Sequence, residues 1–436
     1  MFRYYCRLAL MSMQRTPAIT ALMVAAIAVG IAVCTITLTV YHLMSANPIQ
    51  DRNDVLYAVT LDSWDPERPW DESRPTLAPS ELTYRDATAI LAAGRADRTA
   101  IMRKAGFTLE SSPAIKPFLV EARLTTGDFF PMFAVPFEYG GGWDRNADRD
   151  APPVVVLSKK TNDTAFGGQN SVGKIIKLDS REYRVIGVLK NWEPTPKFYD
   201  LNNGHYDSIE DVYVPFALGA RLQLQPSGNV NCWKPEGING FAQFLNSECI
   251  WNQVWVELSA PQKLAQFQDY LNGYVMHEKS LGRFPRPLNN HLYTAKQWLD
   301  VNEVVAKDNR VLMGLAFMFL AVCVLNVIGL LLAKFLGLAK VTALRRALGA
   351  SRRQLFEQHL VEVGMIGLTG GVLGLALAAL GLLGLRQLYE NYDRLTHLDL
   401  AVALLALAIS VAAGAIAGIY PAWRVCRVPP STYLRT

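Results

Sequence analysis

The chain has 436 residues, of which 51% are hydrophobic and 19% charged, and its formal charge is +5. The apolar residues gather in runs long enough to cross a bilayer, which excludes a soluble enzyme. The basic excess sits beside those runs, so it calls for no nucleic-acid partner.

Residues 1–17 form a basic N-terminal segment with Arg3, Arg7 and Arg15. The first span, 18–45, carries no Asp, Glu, Lys or Arg from Ala18 to Leu43. A crossing needs about 20 apolar residues, and a cleaved signal peptide has a core of only about 7–15, so this run predicts a retained helix. A large segment, 46–309, separates it from spans at 310–333, 361–385 and 400–421. Asn326 is the strongly polar residue of the second span, and Glu362, at the start of the third, is read as solvated at the membrane interface.

The connections are a loop at 334–360, a short loop at 386–399 and a tail at 422–436. Lys334, Lys340, Arg345, Arg346, Arg352 and Arg353 lie in the first of these, and Arg424, Arg427 and Arg435 in the tail, with Glu357 the single acid. The positive-inside rule places both termini and the 334–360 loop in the cytoplasm, and 46–309 and 386–399 outside it.

Segment 46–309 mixes strand and helix signals. Strands are expected at Val55–Leu61, Phe118–Leu124, Val154–Leu157, Tyr183–Leu189, Val212–Phe216 and Trp251–Leu258. Ser80 is the expected N-cap of a helix reaching Ala93, with Glu81 in its first turn. Ser259, Pro261 and Gln262 predict the capped start of a helix to about Glu278. Asp62–Pro79, Gly140–Pro153, Pro226–Asn229 and Pro285–Asn290 read as loops. The expected fold is therefore an α-helical membrane bundle of four transmembrane helices plus a large α/β extracytoplasmic domain of two subdomains. Of the six cysteines only Cys232 and Cys249 fall in this domain, where a disulfide can form. Cys34 and Cys323 lie in spans as apolar packing.

Gly168 to Lys174 has the spacing of a phosphate-binding loop, but Ile175 stands where a Ser or Thr must hold Mg²⁺, and the segment reads as a hairpin turn between strands. No catalytic residue and no metal site is expected: His42, His205, His277, His291, His359 and His397 fall in no ligand spacing, and Ser158 and Ser171 in no nucleophile elbow. Gly367 and Gly371, Gly370 and Gly374, and Gly414 and Gly418 each stand four apart, a spacing that serves helix packing within the chain or a dimer interface.

In the 334–360 loop, Leu338, Val341, Leu344 and Leu348 follow helical spacing, Gly349 ends that helix, and Ser351 with Gln354 caps the next. A basic amphipathic helix of this kind binds lipid headgroups or docks on a soluble protein.

Arg345-Arg346-Ala347-Leu348-Gly349-Ala350-Ser351 resembles the signature of the MacB/FtsX-type ABC transporter permeases. Phe166–Ile176 with Tyr183–Leu189, Gly127–Phe130 and Tyr420–Ala422 resemble further stretches of that family, as does the order of one span, a large domain and three spans. The resemblance implies a MacB-like permease without the fused ATPase domain, since 17 residues precede the first span. It implies residence in the bacterial inner membrane and a dimer with a second copy or a related permease. It also implies a separate cytoplasmic ABC ATPase that binds ATP and Mg, with no cofactor on this chain; a periplasmic adaptor is a further candidate partner.

The ATPase-coupling residues implied are Leu344, Arg345, Arg346, Ala347, Leu348, Gly349, Ala350, Ser351 and Arg352. Val341-Thr342-Ala343 stands where the family has Glu-Ile-Gly, which raises the heterodimer alternative. The function implied is mechanotransmission: ATP hydrolysis moves the outer domain and drives efflux of an amphiphilic peptide, lipid-linked molecule or antibiotic. The alternatives are an FtsX-like regulator of an extracytoplasmic partner, which has a smaller outer domain, and a lipoprotein-release permease.

Overall fold

The computed structural model describes residues 2–110, 116–305, 307–388 and 399–427. Most of the 386–399 loop, with His397, and the tail beyond Arg427, with Arg435, lie outside the described residues. The chain divides into a helical unit, Met1–Ser45 with Val305–Thr436, and an α/β unit, Ala46–Val304.

Helices α1 (Phe2–Arg15) and α2 (Pro17–Ser45) open the helical unit. The α/β unit runs β1 (Leu56–Thr60), β2 (Leu82–Thr83), α3 (Tyr84–Ala93), β3 (Arg98–Glu110), β4 (Phe118–Thr125), α4 (Phe129–Met132) and β5 (Phe137–Gly140). It continues through α5 (Arg145–Asp150), β6 (Val154–Leu157), α6 (Lys159–Phe166), β7 (Ile175–Leu178), β8 (Arg181–Leu189), β9 (Val212–Pro215) and α7 (Phe216–Arg221). It closes with α8 (Phe241–Leu245), β10 (Ile250–Glu257), α9 (Pro261–Ser280), β11 (His291–Thr294) and α10 (Ala295–Val301). Helices α11 (Lys307–Gly337), α12 (Ala339–Ala347), α13 (Arg352–Leu388) and α14 (Leu400–Arg427) complete the helical unit.

The two subdomains expected from the sequence share one eleven-stranded sheet, ordered β11-β1-β10-β3-β4-β9-β6-β8-β5, with β2 on β10 and β7 bridging β3 and β8. Alternate residues of a strand point to opposite faces, and both faces are covered here. Along β10, Val254 and Val256 enter one core with Phe267 and Leu271 of α9, while Trp255 enters the other with Phe129 of α4 and Trp298 of α10. Cys232 and Cys249 are bonded, closing a loop of sequence separation 17.

Several local expectations are corrected. The cap of α3 is Thr83, whose side chain accepts from the Asp86 N–H, because the short strand β2 delays the helix. Ser80 instead donates to Asn202 Oδ1 at 2.7 Å, and Glu81 is buried. The Ser259 hydroxyl donates to Asp97 and does not cap α9. The stretch 140–153 contains α5, capped by Asp144. Gly168–Lys174 joins α6 to β7 as a helix-to-strand loop, because Ser158 caps a helix that Gly167 ends in the left-handed region.

Among the described residues of the helical unit, four helices are long and apolar enough to cross a membrane. Each of the six glycines singled out faces a neighbouring helix of the same chain. A Cβ on Gly367 would lie 2.9 Å from Ser410 O, one on Gly414 3.1 Å from Gly367 Cα, and one on Gly418 2.7 Å from Val363. Gly371 faces Ser410 likewise, while Gly370 and Gly374 receive Ile27 and Ala28 of α2. The small residues thus let α13 approach α14 on one side and α2 on the other.

Candidate functional site

The site is the α11–α12–α13 turn. Helix α12 buries its small residues, Ala339, Thr342 and Ala343, and turns its larger apolar ones outward: Val341 is 38% exposed, Leu344 52% and Leu348 80%. The apolar stripe read from the sequence is therefore the free face of the helix, and the small residues set its distance from the bundle.

The signature arginines are tied back onto neighbouring helices. Arg345 Nη1 donates to Gln358 Oε1 of α13 at 2.9 Å, and Arg346 Nη1 donates to the Cys426 carbonyl of α14 at 3.4 Å. Gly349, at φ +102°, reverses the chain in a conformation that costs a side-chain-bearing residue strain. Ser351 N donates to Gln354 Oε1 at 3.0 Å and Gln354 N donates to Ser351 Oγ at 3.2 Å, so a complete capping box opens α13. Ala347, Ser351 and Arg352 are exposed and Ala350 is half-buried. The nine residues of the expected coupling site thus form one helix–turn–helix with an outward Leu344–Leu348 ridge.

Sequence reasoning missed what lies beneath this turn. Glu362 is not solvated: it is fully buried, and Lys334 Nζ, also buried, stands 2.7 Å from its Oε1. Ser12 of α1 donates to the same oxygen at 2.7 Å, and Lys334 donates to Thr20 Oγ1 of α2 at 3.3 Å. His359 Nδ1 lies 3.8 Å from Glu362 Oε2. Lys334 reads in the sequence as one more basic flank residue. Its partner is 28 positions away, and no local spacing signals it.

The α/β unit holds a second buried polar cluster. Arg123 donates to both Asp200 and Glu210, and Lys197 Nζ donates to Glu210 Oε1 at 2.6 Å. Tyr199 OH donates to Glu210 Oε2 at 3.0 Å, and Gln253 Nε2 donates to Glu81 Oε1 at 2.9 Å. Burial opposes the charge on Glu210, but Arg123 and Lys197 overcome it and hold its pKa below the usual carboxylate range. Glu81 lacks such a cation, and burial pushes it up to about 8. Among the described residues no cluster of three or more His, Cys, Asp or Glu is arranged to hold a metal.

Two family models cover most of this architecture. The MacB-like periplasmic core domain matches residues 20–274, and the FtsX-like permease C-terminal region matches residues 313–430. The chain belongs to the MacB/FtsX-type ABC transporter permeases. Curated relatives include the macrolide export ATP-binding/permease protein MacB of Syntrophobacter fumaroxidans, 22% identical over 71% of this chain and 46% of that protein. MacB 2 of Aeromonas hydrophila is 21% identical over 70% of this chain and 41% of that protein. The chain thus spans less than half the length of these MacB relatives. Among solved structures, the periplasmic region of MacB from Actinobacillus actinomycetemcomitans aligns over 59% of this chain and 96% of its own, with 13% identity and a TM-score of 0.37. The extracellular domain of the transporter YknZ aligns over 48% and 87%, with 14% identity and a TM-score of 0.31. The MacB/FtsX-type assignment and the four apolar helices make the chain a multi-pass inner-membrane protein with a periplasmic domain.

Proposed function

We propose that this chain is the permease subunit of an ABC-type exporter, working by mechanotransmission with a separate ATPase. The observation that carries the reading is the outward Leu344–Leu348 ridge on α12, with Arg345 and Arg346 braced against α13 and α14. An exposed apolar ridge on a short, anchored helix suits a groove on a soluble partner. Both termini and this turn are then cytoplasmic, as the basic residues around them favour. ATP and Mg bind the partner, and movement of the turn passes through the spans to the periplasmic domain. A second permease copy or a related permease completes the unit, and a periplasmic adaptor receives the cargo. The cargo class is an amphiphilic molecule, in keeping with the macrolide export of the MacB relatives.

The test is purification of the tagged protein from native membranes, with identification of what accompanies it. A stoichiometric ATPase that is lost in Leu344→Asp and Leu348→Asp, while the permease stays folded, supports the reading. An ATPase retained by both variants removes the ridge as its dock.

A further inference from the structure

We propose that the buried Lys334–Glu362 ion pair is a brace that sets the docking helix α12, which makes Lys334 and Glu362 positioning residues; this rests on the docking role proposed above. The two side chains lie at the two ends of the turn. Lys334 is in the last turn of α11 and accepts at its carbonyl the Leu338 N–H that begins α12. Glu362 is one helical turn beyond Gln358, the residue that holds Arg345. A single contact of 2.7 Å therefore ties the chain entering the docking helix to the chain leaving it.

The pair gathers two more helices. Ser12 brings α1 to the carboxylate, and Thr20 brings α2 to the ammonium. A cleft of about 70 Å³ opens beside it, lined by Ser12, Arg15, Thr342, Arg345, His359 and Glu362. Thr342 and Arg345 of the docking helix thus line the same cleft as Glu362, and the helix starts from the Lys334 carbonyl, so displacing α12 moves groups at both ends of the pair.

Fold stability alone does not call for these charges. Desolvating two ions offsets most of their attraction, and apolar replacements of similar size often leave a buried pair's host equally stable. Ionisable residues inside a membrane bundle are instead associated with function. A pair with fixed geometry at the root of a lever transmits its motion; two apolar side chains there would slide.

The experiment uses the full-length protein in native membranes, carrying Ala343→Cys on the buried face of α12. Maleimide labelling is followed at that position and at the native Cys34. Cys34 is buried between α2 and α11, where it donates to the Ala316 carbonyl, and it reports on the bundle as a whole. In Lys334→Met/Glu362→Leu we expect labelling at position 343 to rise about tenfold, a differential opening of roughly 1.4 kcal/mol, with Cys34 within twofold of the parent. The charge-swapped pair Lys334→Glu/Glu362→Lys restores protection at 343. The brace is overturned if the apolar double variant protects 343 as the parent does, if Cys34 labelling rises in step, or if the swap leaves 343 reactive while Cys34 stays protected. ATPase co-purification is scored on the same samples. A parent that brings down no ATPase overturns the docking reading, and the labelling ratio still decides the brace.

Discussion

Arg123→Met puts the buried network of the α/β unit to the test. The cluster holds two cations, Arg123 and Lys197, against two carboxylates, Asp200 and Glu210, all at most 1% exposed. Methionine fills much of the volume but leaves one carboxylate uncompensated, and breaking a buried pair in this way costs about 3–5 kcal/mol. With a urea dependence of about 2–3 kcal/mol/M, the unfolding midpoint falls by roughly 1–2 M. Every tryptophan except Trp423 lies in this unit, so intrinsic fluorescence of the full-length protein follows its unfolding. Arg123→Met/Asp200→Asn returns the site to one cation and one anion. Its loss should fall short of the summed single losses by about 0.5–3 kcal/mol. A strictly additive double variant, or a single variant costing under about 0.5 kcal/mol, refutes the account of a charge-balanced core.

Three further outcomes follow from the same geometry. Glu81, pushed up to about 8 from an ordinary 4.5, contributes stability that is fully present below 4.5, declines as pH rises and is gone once pH passes 8. Unfolding midpoints between pH 5 and pH 9 should fall with a slope that Glu81→Gln flattens. Gly414→Ala places a methyl against the Gly367 backbone and should lower the stability of the detergent-solubilised protein by about 1–3 kcal/mol, read as its thermal aggregation midpoint. Cys232→Ser/Cys249→Ser opens a loop of separation 17 and should cost about 3 kcal/mol in the fluorescence assay, an effect that reduction of the parent reproduces.

The spans and the α12 turn were legible because their signals are local. Apolar length, the small-residue spacing, Gly349 and the Ser351–Gln354 box each act within a few residues. Several sheet strands were not. β3 is hidden in the sequence although it lies inside the sheet, because Arg103 and Lys104 interrupt its apolar pattern. Both are buried by partners distant in sequence. Lys104 pairs with Glu121 at 2.9 Å, and Arg103 stacks over Trp251 at 4.8 Å and donates to the Leu224 carbonyl at 3.1 Å. The Lys334–Glu362 pair escaped for the same reason. Helix α1 is a different case: the arginines of residues 2–15 mark a membrane flank, and a basic flank does not by itself require a helix.

The order of strands has a mechanical consequence. β1, the first strand after the opening membrane helix, and β11, the last before the return to the membrane helices, are neighbours at one edge of the sheet and pair antiparallel. Both connections to the helical unit therefore leave from the same margin, as two leads leave one side of a circuit board. A pull or twist arriving on them meets first the four registered residue pairs between β1 and β11, from Tyr57–Thr294 to Thr60–His291, and the β1–β10 ladder behind them. β5, at the opposite edge of the sheet, carries neither connection, so under the proposed mechanotransmission that short ladder is the first part of the sheet to bear the load.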